Sequence, residues 1–307
     1  MGTGRPPRDH WRRVIAGLDP RRDWHRIHLI DHQHEFPWDL EQALGLALFR
    51  TFAVPSIGGL LDRSGEFARD TQRRYDDTGL ILDTVLTHGM DSAEGRAAIR
   101  RMNQMHHAYP IDPDDLRYVL STFVTVPIRW LDRFGWRPFD EAEKVAACEY
   151  YRALGRRMAI PDLPATWREF AALMDRYERE RFARDPGGTR VAEATLRLLT
   201  TTRPHRYLPP AVAARATRAL LEPHLLDAFG WTRPTAPERA AVAAGLRARA
   251  ALLRHRPPRL APRRFVDSPN FRSHPDGWDI TRVGTFPAGR SGCPVPHTSP
   301  APTVGQV

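Results

Sequence analysis

Helical periodicity dominates this sequence and restricts it to a fold built from helices. In the run from Asp39, the apolar residues Leu44, Leu48 and Phe52 recur at four-residue steps, the spacing of one face of an α-helix. Comparable runs continue to residue 254, separated by turns rich in Pro and Gly, and alternating strand-type runs are nearly absent. The sequence therefore predicts an all-α fold, a single multi-helix globular domain.

The ends of the helices are marked by capping residues and helix breakers. Pro55 and the Gly58–Gly59 pair break or bend the first helix, Gly89 is a typical stop, and Asp112 is a typical N-cap. Asp91 or Ser92 can cap the helix that contains a pair of adjacent histidines. Further helices are predicted at about 70–87, 117–134, 140–158, 166–182, 189–201, 210–228 and 236–254.

Composition suggests three regions along the 307 residues. Residues 1–22 are rich in Arg, Pro and Gly and are predicted to form an irregular N-terminal arm. Residues 23–286 contain the predicted helices and form the expected globular domain. Residues 287–307 are rich in Pro, Gly and Ser, without a periodic apolar face, and are predicted to form a flexible tail.

Charge and cysteine content argue against a nucleic-acid-binding protein and against a disulfide-rich protein. The net charge is +10, but the cations are spread along the whole chain, Lys144 is the only lysine, and no nucleic-acid-binding signature is present. Cys148 and Cys293 are the only cysteines, which does not indicate a disulfide framework. We find no signal-peptide pattern and no stretch of 18 apolar residues, so we expect a cytoplasmic protein without a membrane span.

Two adjacent histidines lie in the stretch RRMNQMHHAYP, residues 100–110. Ile99, Met102, His106 and Tyr109 share one helical stripe, which turns His106 inward, whereas His107 lies on the polar side. A lone histidine on an apolar stripe is more often hydrogen-bonded to a carbonyl in the core than bound to a metal. From the pattern alone, both interpretations of His106 remain open.

The preceding helix begins its own apolar stripe with polar residues. Arg74 and Thr78 stand at the head of the stripe that continues through Ile81 and Val85. In one interpretation Arg74 pairs with Asp77 at i+3 and Thr78 hydrogen-bonds back to a carbonyl. In the other, Arg74 and Thr78 line a cavity wall opposite the inward histidine, because a buried guanidinium needs an anion or a polar network.

A third cluster of polar residues, HLIDHQHE, contains His28, His32, His34 and Glu35. His28 and His32 are four residues apart, but nothing resembles the HExxH pattern of zinc hydrolases, so that chemistry is not expected and the role of the three histidines stays open. Paired Glu-x-x-His motifs, a GxSxG elbow, a phosphate loop and GxGxxG are all missing.

The order of several motifs resembles a family of oxygenases that includes the latex-clearing rubber oxygenases and a fungal oxygenase of the mycophenolic acid pathway. The resemblance runs from about Leu40 to Thr285. It comprises RSGEF, an Arg-x-x-x-Thr helix (Arg74, Thr78), R-x-x-x-x-H ending at His106, DPDDLRYV, EYYRALGRRMAIPDLPATW, and F-x-x-x-P-x-G-W-x-I-x-x-x-G ending at Gly284.

The resemblance implies a haem b-dependent oxygenase whose helices surround a haem pocket. His106 would be the iron ligand, Arg74 would contact the cofactor, and Arg74, Asp77 and Thr78 would be the polar catalytic residues, with dioxygen as co-substrate. The haem would be non-covalent, because C-x-x-C-H is missing. The implied reaction is oxidation of a small to medium apolar organic molecule, including cleavage of a C=C bond.

The chain departs from the family pattern at one position. Asp77 stands where a basic residue is expected, and a carboxylate cannot donate a hydrogen bond when ionised, although it can relay protons. The secretion and membrane signals of the known members are also missing, so we do not expect an insoluble polymer as substrate. The alternatives are a non-catalytic haem- or lipid-binding helical protein and a metal-free interaction module. The sequence does not indicate an oligomeric state.

Overall fold

A computed structural model describes residues 6–285. These residues form α-helices and short 3₁₀ or π segments and contain no strand, which confirms the all-α prediction. The α-helices are α1 His10–Ala16, α2 Trp24–Ile30, α3 Pro37–Thr51, α4 Pro55–Arg63, α5 Glu66–Arg69, α6 Thr71–His88, α7 Ala93–His107, α8 Pro113–Phe134, α9 Glu141–Arg157, α10 Trp167–Arg181, α11 Pro186–Thr200, α12 Pro210–Arg218, α13 Pro223–Ala228 and α14 Ala236–Arg254.

Helix α8 lies at the centre of the fold. It packs against α3, α9 and α10, and residues 120–128 along it are all buried. Asp112 caps it by accepting a hydrogen bond from the Asp114 amide at 2.9 Å, and Pro113 occupies its first turn. The Asp112 cap is thus confirmed, whereas the acidic residue Asp115 is buried and accepts hydrogen bonds from the Tyr177 and Ser56 hydroxyls at 2.6 and 3.0 Å.

The first region differs from its prediction. Residues 10–16, assigned to an irregular arm, form helix α1, because Ile15 is an apolar anchor that packs with Ile27, Ile30 and Ala146.

The predicted helix at 210–228 is divided into two helices, since Pro223 starts a new helix and cannot continue the previous one. The predicted tail, residues 287–307, and with it Cys293, lies outside the described residues, whereas Cys148 is buried as a free thiol.

The break after α3 comes earlier than the glycines suggested. Helix α3 ends at Thr51 and meets α4 at 93°, and Gly58 instead allows α4 to approach α11 closely. A Cβ atom on Gly58 would lie 2.7 Å from the Gly188 Cα atom and 2.3 Å from the Phe52 carbonyl oxygen. Within residues 6–285, no single helix has the length and apolar composition to cross a membrane; only the bent α3–α4 pair meets that test.

A C-terminal strap, residues 263–285, crosses α6 and α7 and fixes them together. Asp76 on α6 accepts hydrogen bonds from the backbone amides of Arg272 and Ser273 at 3.0 and 2.9 Å. Arg101 on α7 donates to the carbonyl oxygens of Val283 and Thr285 at 2.6 and 2.9 Å. The strap therefore positions the two helices that contain most of the predicted site residues.

Candidate functional site

The local sequence sets where α6 and α7 begin. The Asp70 side chain caps α6 by accepting a hydrogen bond from the Arg73 amide at 2.9 Å, and the Ser92 hydroxyl caps α7 by accepting one from the Gly95 amide at 2.8 Å. Between them Gly89 has a φ of 84°, a conformation that glycine adopts without strain. The tight turn brings the end of α6 beside the start of α7, and the two helices pack together.

His106 lies near the end of α7 with its ring largely shielded from solvent. Its Nδ1 atom is buried without a hydrogen-bond partner among the described residues, so the carbonyl bond expected of a core histidine is not formed there. Burial, and then the charges of Arg74 and His107, lower the pKa of His106 to about 4. The imidazole is therefore neutral at pH 7 and can offer a lone pair to a metal. His107 is exposed, as the helical stripe predicts.

Arg74 is near enough to His106 for its charge to affect that histidine's pKa. Its guanidinium donates a hydrogen bond to the Thr78 hydroxyl, and no carboxylate of residues 6–285 lies within ion-pair distance of it. The predicted pairing with Asp77 is therefore wrong. The Thr78 hydroxyl does donate back to the Arg74 carbonyl oxygen at 3.0 Å, which confirms the second part of that interpretation. Burial lowers the pKa of Arg74, against the opposing charges of Asp77, Glu66 and Tyr109.

Asp77 is turned towards the C-terminal strap, which is why it does not pair with Arg74. Its Oδ1 atom lies 2.7 Å from His274 Nε2, and its Oδ2 atom accepts a hydrogen bond from the Gly284 amide at 3.0 Å. Gly284 itself packs so closely on Met105 that an added Cβ atom would lie 2.2 Å from the Met105 sulfur. Both oxygens of Asp77 are thus engaged at the point where the strap meets α6 and α7.

A cavity that opens to solvent lies on the neighbouring face of α6, with about 860 Å³ of unfilled space that includes part of the open solvent. Thr78 is in its wall, whereas Arg74, Asp77 and His106 are not among its lining residues. Gly79 allows the Phe265 ring to close one side, since an added Cβ atom would lie 2.3 Å from the ring carbons. The other lining residues come from α2, the following π-helical turn (Asp31–Glu35), α3, α6, α9 and the strap: His28, His32, Gln33, Pro37, Glu41, Leu44, Gly45, Leu48, Tyr75, Leu82, Asp83, Leu86, Tyr150, Tyr151, Arg263 and Arg264.

Only part of this cavity is visible in the sequence. The His28–His32 spacing indicates no role by itself, and the Arg263–Arg264–Phe265 run resembles the rest of the Pro- and Arg-rich stretch that follows the last helix. The adjacent Tyr150 and Tyr151, quoted only as part of a motif, are buried aromatic residues on a helix and were an available signal.

The residues around His106 fit a haem. A neutral imidazole with an unpartnered nitrogen can ligate iron, and a shielded guanidinium without a carboxylate partner suits the carboxylate groups that haem b carries. Among residues 6–285, no group of three or more His, Cys, Asp or Glu side chains could hold a metal ion. Haem iron requires only one protein ligand in a five-coordinate state.

Comparison with known proteins gives consistent matches. Residues 40–255 match the family described as "ER-bound oxygenase mpaB/B'/Rubber oxygenase, catalytic domain". The chain is 26% identical over 271 residues to ER-bound oxygenase mpaB' of Penicillium brevicompactum, covering 80% of this chain and 64% of that protein. It is 30% identical over 134 residues to ER-bound oxygenase mpaB of Penicillium roqueforti, covering 42% of this chain and 45% of that protein. Each alignment thus covers less than two thirds of the relative.

Proposed function

We propose, from the premise that this chain belongs to the family of mpaB-type oxygenases and rubber oxygenases, that it is a haem b-dependent oxygenase. Its substrate would be a small to medium apolar organic molecule. One observation carries the proposal: His106, a neutral histidine without a hydrogen-bond partner, and Arg74, a shielded arginine without a carboxylate partner, lie on two helices that pack together. Both residues lie inside the part of the chain that matches the family.

His106 would hold the iron, and Arg74 would pair with a carboxylate of the cofactor. When bound, the haem would activate dioxygen for oxidation of the substrate, with cleavage of a C=C bond as one such oxidation. Thr78 would hold Arg74 in place, since it hydrogen-bonds the guanidinium and also lines the cavity. The leucine-rich wall of the cavity would bind the apolar substrate and exclude water.

Asp77 is proposed to transfer protons and not to contact the cofactor. Its Oδ1 atom and His274 Nε2 are 2.7 Å apart, a distance across which a proton can move between carboxylate and imidazole. We assign the pair to proton transfer beside the site, with the Gly284 amide holding the second carboxylate oxygen. The pair also joins α6 to the strap, so stability and turnover must be measured together to test the role.

A cytoplasmic location is also part of the proposal. Its basis is the sequence pattern, and the relatives named ER-bound make membrane association the competing outcome. Fractionation of the native cells separates the two, because a cytoplasmic protein stays in the supernatant after the membranes are sedimented.

Absorbance spectroscopy and oxygen uptake test the proposed activity. We expect the purified protein, supplied with haem, to show a Soret band and to consume dioxygen with an olefin but not with the matched saturated compound. A Soret band without oxygen consumption for any olefin would instead support a non-catalytic haem-binding protein. No Soret band after haem addition would contradict the proposal and leave a lipid-binding protein or a metal-free interaction module.

A further inference from the structure

We propose that the cavity beside α6 binds an apolar molecule that carries an uncharged hydroxyl group, and that His28 and His32 hydrogen-bond this hydroxyl. The inference rests on the proposed function only in identifying the cavity as the substrate site. The binding itself does not require haem.

The charges in the cavity wall are already neutralised. Its four charged lining residues form two ion pairs, Glu41 with Arg263 at 3.1 Å and Asp83 with Arg264 at 2.8 Å. The Asp83 carboxylate also accepts a hydrogen bond from the Phe265 amide at 3.0 Å. An ionised ligand would therefore lose its hydration without gaining an unpaired counter-charge. The wall favours a neutral ligand.

The two histidines provide hydrogen-bonding groups that remain unused. His32 Nδ1 lies 2.9 Å from the His28 carbonyl oxygen, which can only accept, so Nδ1 carries the proton and Nε2 has the lone pair in the neutral ring. Neither ring nitrogen of His28 is hydrogen-bonded to a residue that the structure describes, and its Nδ1 atom is buried. Burial keeps both rings neutral by lowering the pKa of His32 to about 4 and that of His28 well below its usual range.

The histidines are held in position by aromatic packing. The His28 ring lies 4.1 Å from the His32 ring and stacks at 4.1 Å on Tyr150. The hydroxyls of Tyr75, Tyr150 and Tyr151, which also line the cavity, form no hydrogen bond with residues 6–285. Burial raises the pKa of each of these tyrosines, so the hydroxyls stay protonated and can donate.

These groups distinguish between possible ligands. A pure hydrocarbon would fill the leucine-lined part, Leu44, Leu48, Leu82 and Leu86, and leave every one of the polar groups without a partner. A hydroxyl supplies one donor for His32 Nε2 and one acceptor for a tyrosine hydroxyl or a His28 N–H group. An alcohol or phenol on an apolar body therefore matches the cavity better than a hydrocarbon or a carboxylate.

Calorimetric titration with three matched probes tests the inference: geraniol, the hydrocarbon myrcene and the carboxylate geranate. We expect geranate to bind more weakly than geraniol. The decisive quantity is the geraniol-to-myrcene affinity ratio, because comparing it between proteins cancels the different hydrophobicity of the probes. In His28→Phe and in His32→Phe this ratio should fall roughly fivefold, the effect of one net hydrogen bond.

His34→Phe is the matched control, since His34 belongs to the same π-helical turn but contacts the Arg259 carbonyl oxygen outside the cavity. It should leave the ratio unchanged. Tighter binding of geranate than of geraniol by the wild-type protein, or a ratio that neither cavity variant alters, would overturn the inference. Repeating the titrations on His106→Ala separates this outcome from failure of the proposed oxygenase function, because the binding preference should persist without haem.

Discussion

Arg50 and Arg74 are both shielded from solvent, yet only Arg50 has carboxylate partners. The Arg50 guanidinium donates to Glu178 at 2.7 and 2.5 Å and to Glu222 at 2.5 Å. The Arg74 guanidinium donates only to the Thr78 hydroxyl among residues 6–285. Burial lowers the pKa of Arg74, whereas in Arg50 the bonds to Glu178 and the charge of Glu222 outweigh burial and raise the pKa.

The presence or absence of carboxylate partners separates a structural arginine from one that can still bind a ligand. Arg50 connects α3 to Glu178 on α10 and to Glu222 at the start of α13, and Tyr118 from α8 donates to the same Glu178 at 3.2 Å. This network is complete without any bound group. Arg74 lies beside the neutral His106 without such a network, which is the arrangement expected of a residue that completes its hydrogen bonds with a cofactor.

Breaking the Arg50 network should give the largest loss of stability. Glu178→Gln would leave the buried guanidinium with the partly exposed Glu222 as its only carboxylate partner, and we expect the free energy of unfolding to fall by about 3 kcal/mol in urea denaturation. Asp175→Asn is the control, because Asp175 pairs with Arg129 at 2.7 Å on the surface and its loss should cost about 1 kcal/mol or less. Equal losses of unfolding free energy in the two variants would show that the Arg50 network is no more important for stability than a surface ion pair.

Acid should destabilise the protein through the neutral cavity histidines. The pKa of His32 is about 4 in the folded chain against an ordinary value of 6.5, so between these pH values the unfolded chain binds a proton that the folded chain does not. The free energy of unfolding should therefore fall as pH decreases through this window, by up to about 1.4 kcal/mol per pH unit for this residue. In His32→Phe the dependence should be shallower than in the wild type, and identical slopes in urea titrations would contradict the assignment.

Replacing Asp77 distinguishes a structural role from a chemical one. An asparagine can accept only one of the two hydrogen bonds, from His274 and from the Gly284 amide, so Asp77→Asn should cost about 1–3 kcal/mol. If the Asp77–His274 pair moves protons, Asp77→Asn and His274→Gln should each lower single-turnover rates by roughly 10²–10⁴-fold at unchanged haem content. Full turnover in both haem-replete variants would leave Asp77 as an anchor of the strap only.

Replacing Arg74 should have the smallest effect on stability. Arg74→Gln removes a shielded charge without a carboxylate partner, so in the haem-free protein the free energy of unfolding should change by less than about 1 kcal/mol or increase. Its haem affinity should fall roughly tenfold, since a charge-assisted bond would be lost. Arg73→Gln, an exposed neighbour on α6, should change neither quantity. A large destabilisation of haem-free Arg74→Gln would show that Arg74 is a structural cation like Arg50.

The local sequence pattern predicted the helices of the site and the inward direction of His106, but not the contacts between the site and the C-terminal strap. The run predicted at 70–87 corresponds to α6 at Thr71–His88, and the apolar stripe correctly separated an inward His106 from an exposed His107. These features depend on residues three or four apart, which a sequence displays directly.

The partners of the site residues lie far away in sequence, and local pattern carries no information about them. Asp77 meets His274 across 197 positions, and Glu41 meets Arg263 across 222. The i+3 spacing points Asp77 to Arg74 on the same helix, but its partners in the structure are His274 and the Gly284 amide of the strap. The sequence does not reveal the cavity for the same reason, because its wall is assembled from four stretches that are far apart in sequence, residues 28–48, 75–86, 150–151 and 263–265.

Haem binding by three proteins tests whether His106 is the iron ligand. The wild type, His106→Ala and His107→Ala are titrated with haem, and the Soret absorbance per chain is recorded together with the melting temperature. We expect His106→Ala to lose most of its haem if the shielded imidazole is the iron ligand, and His107→Ala, which changes an exposed residue, to keep its haem. Equal haem retention in the two folded variants would contradict this assignment.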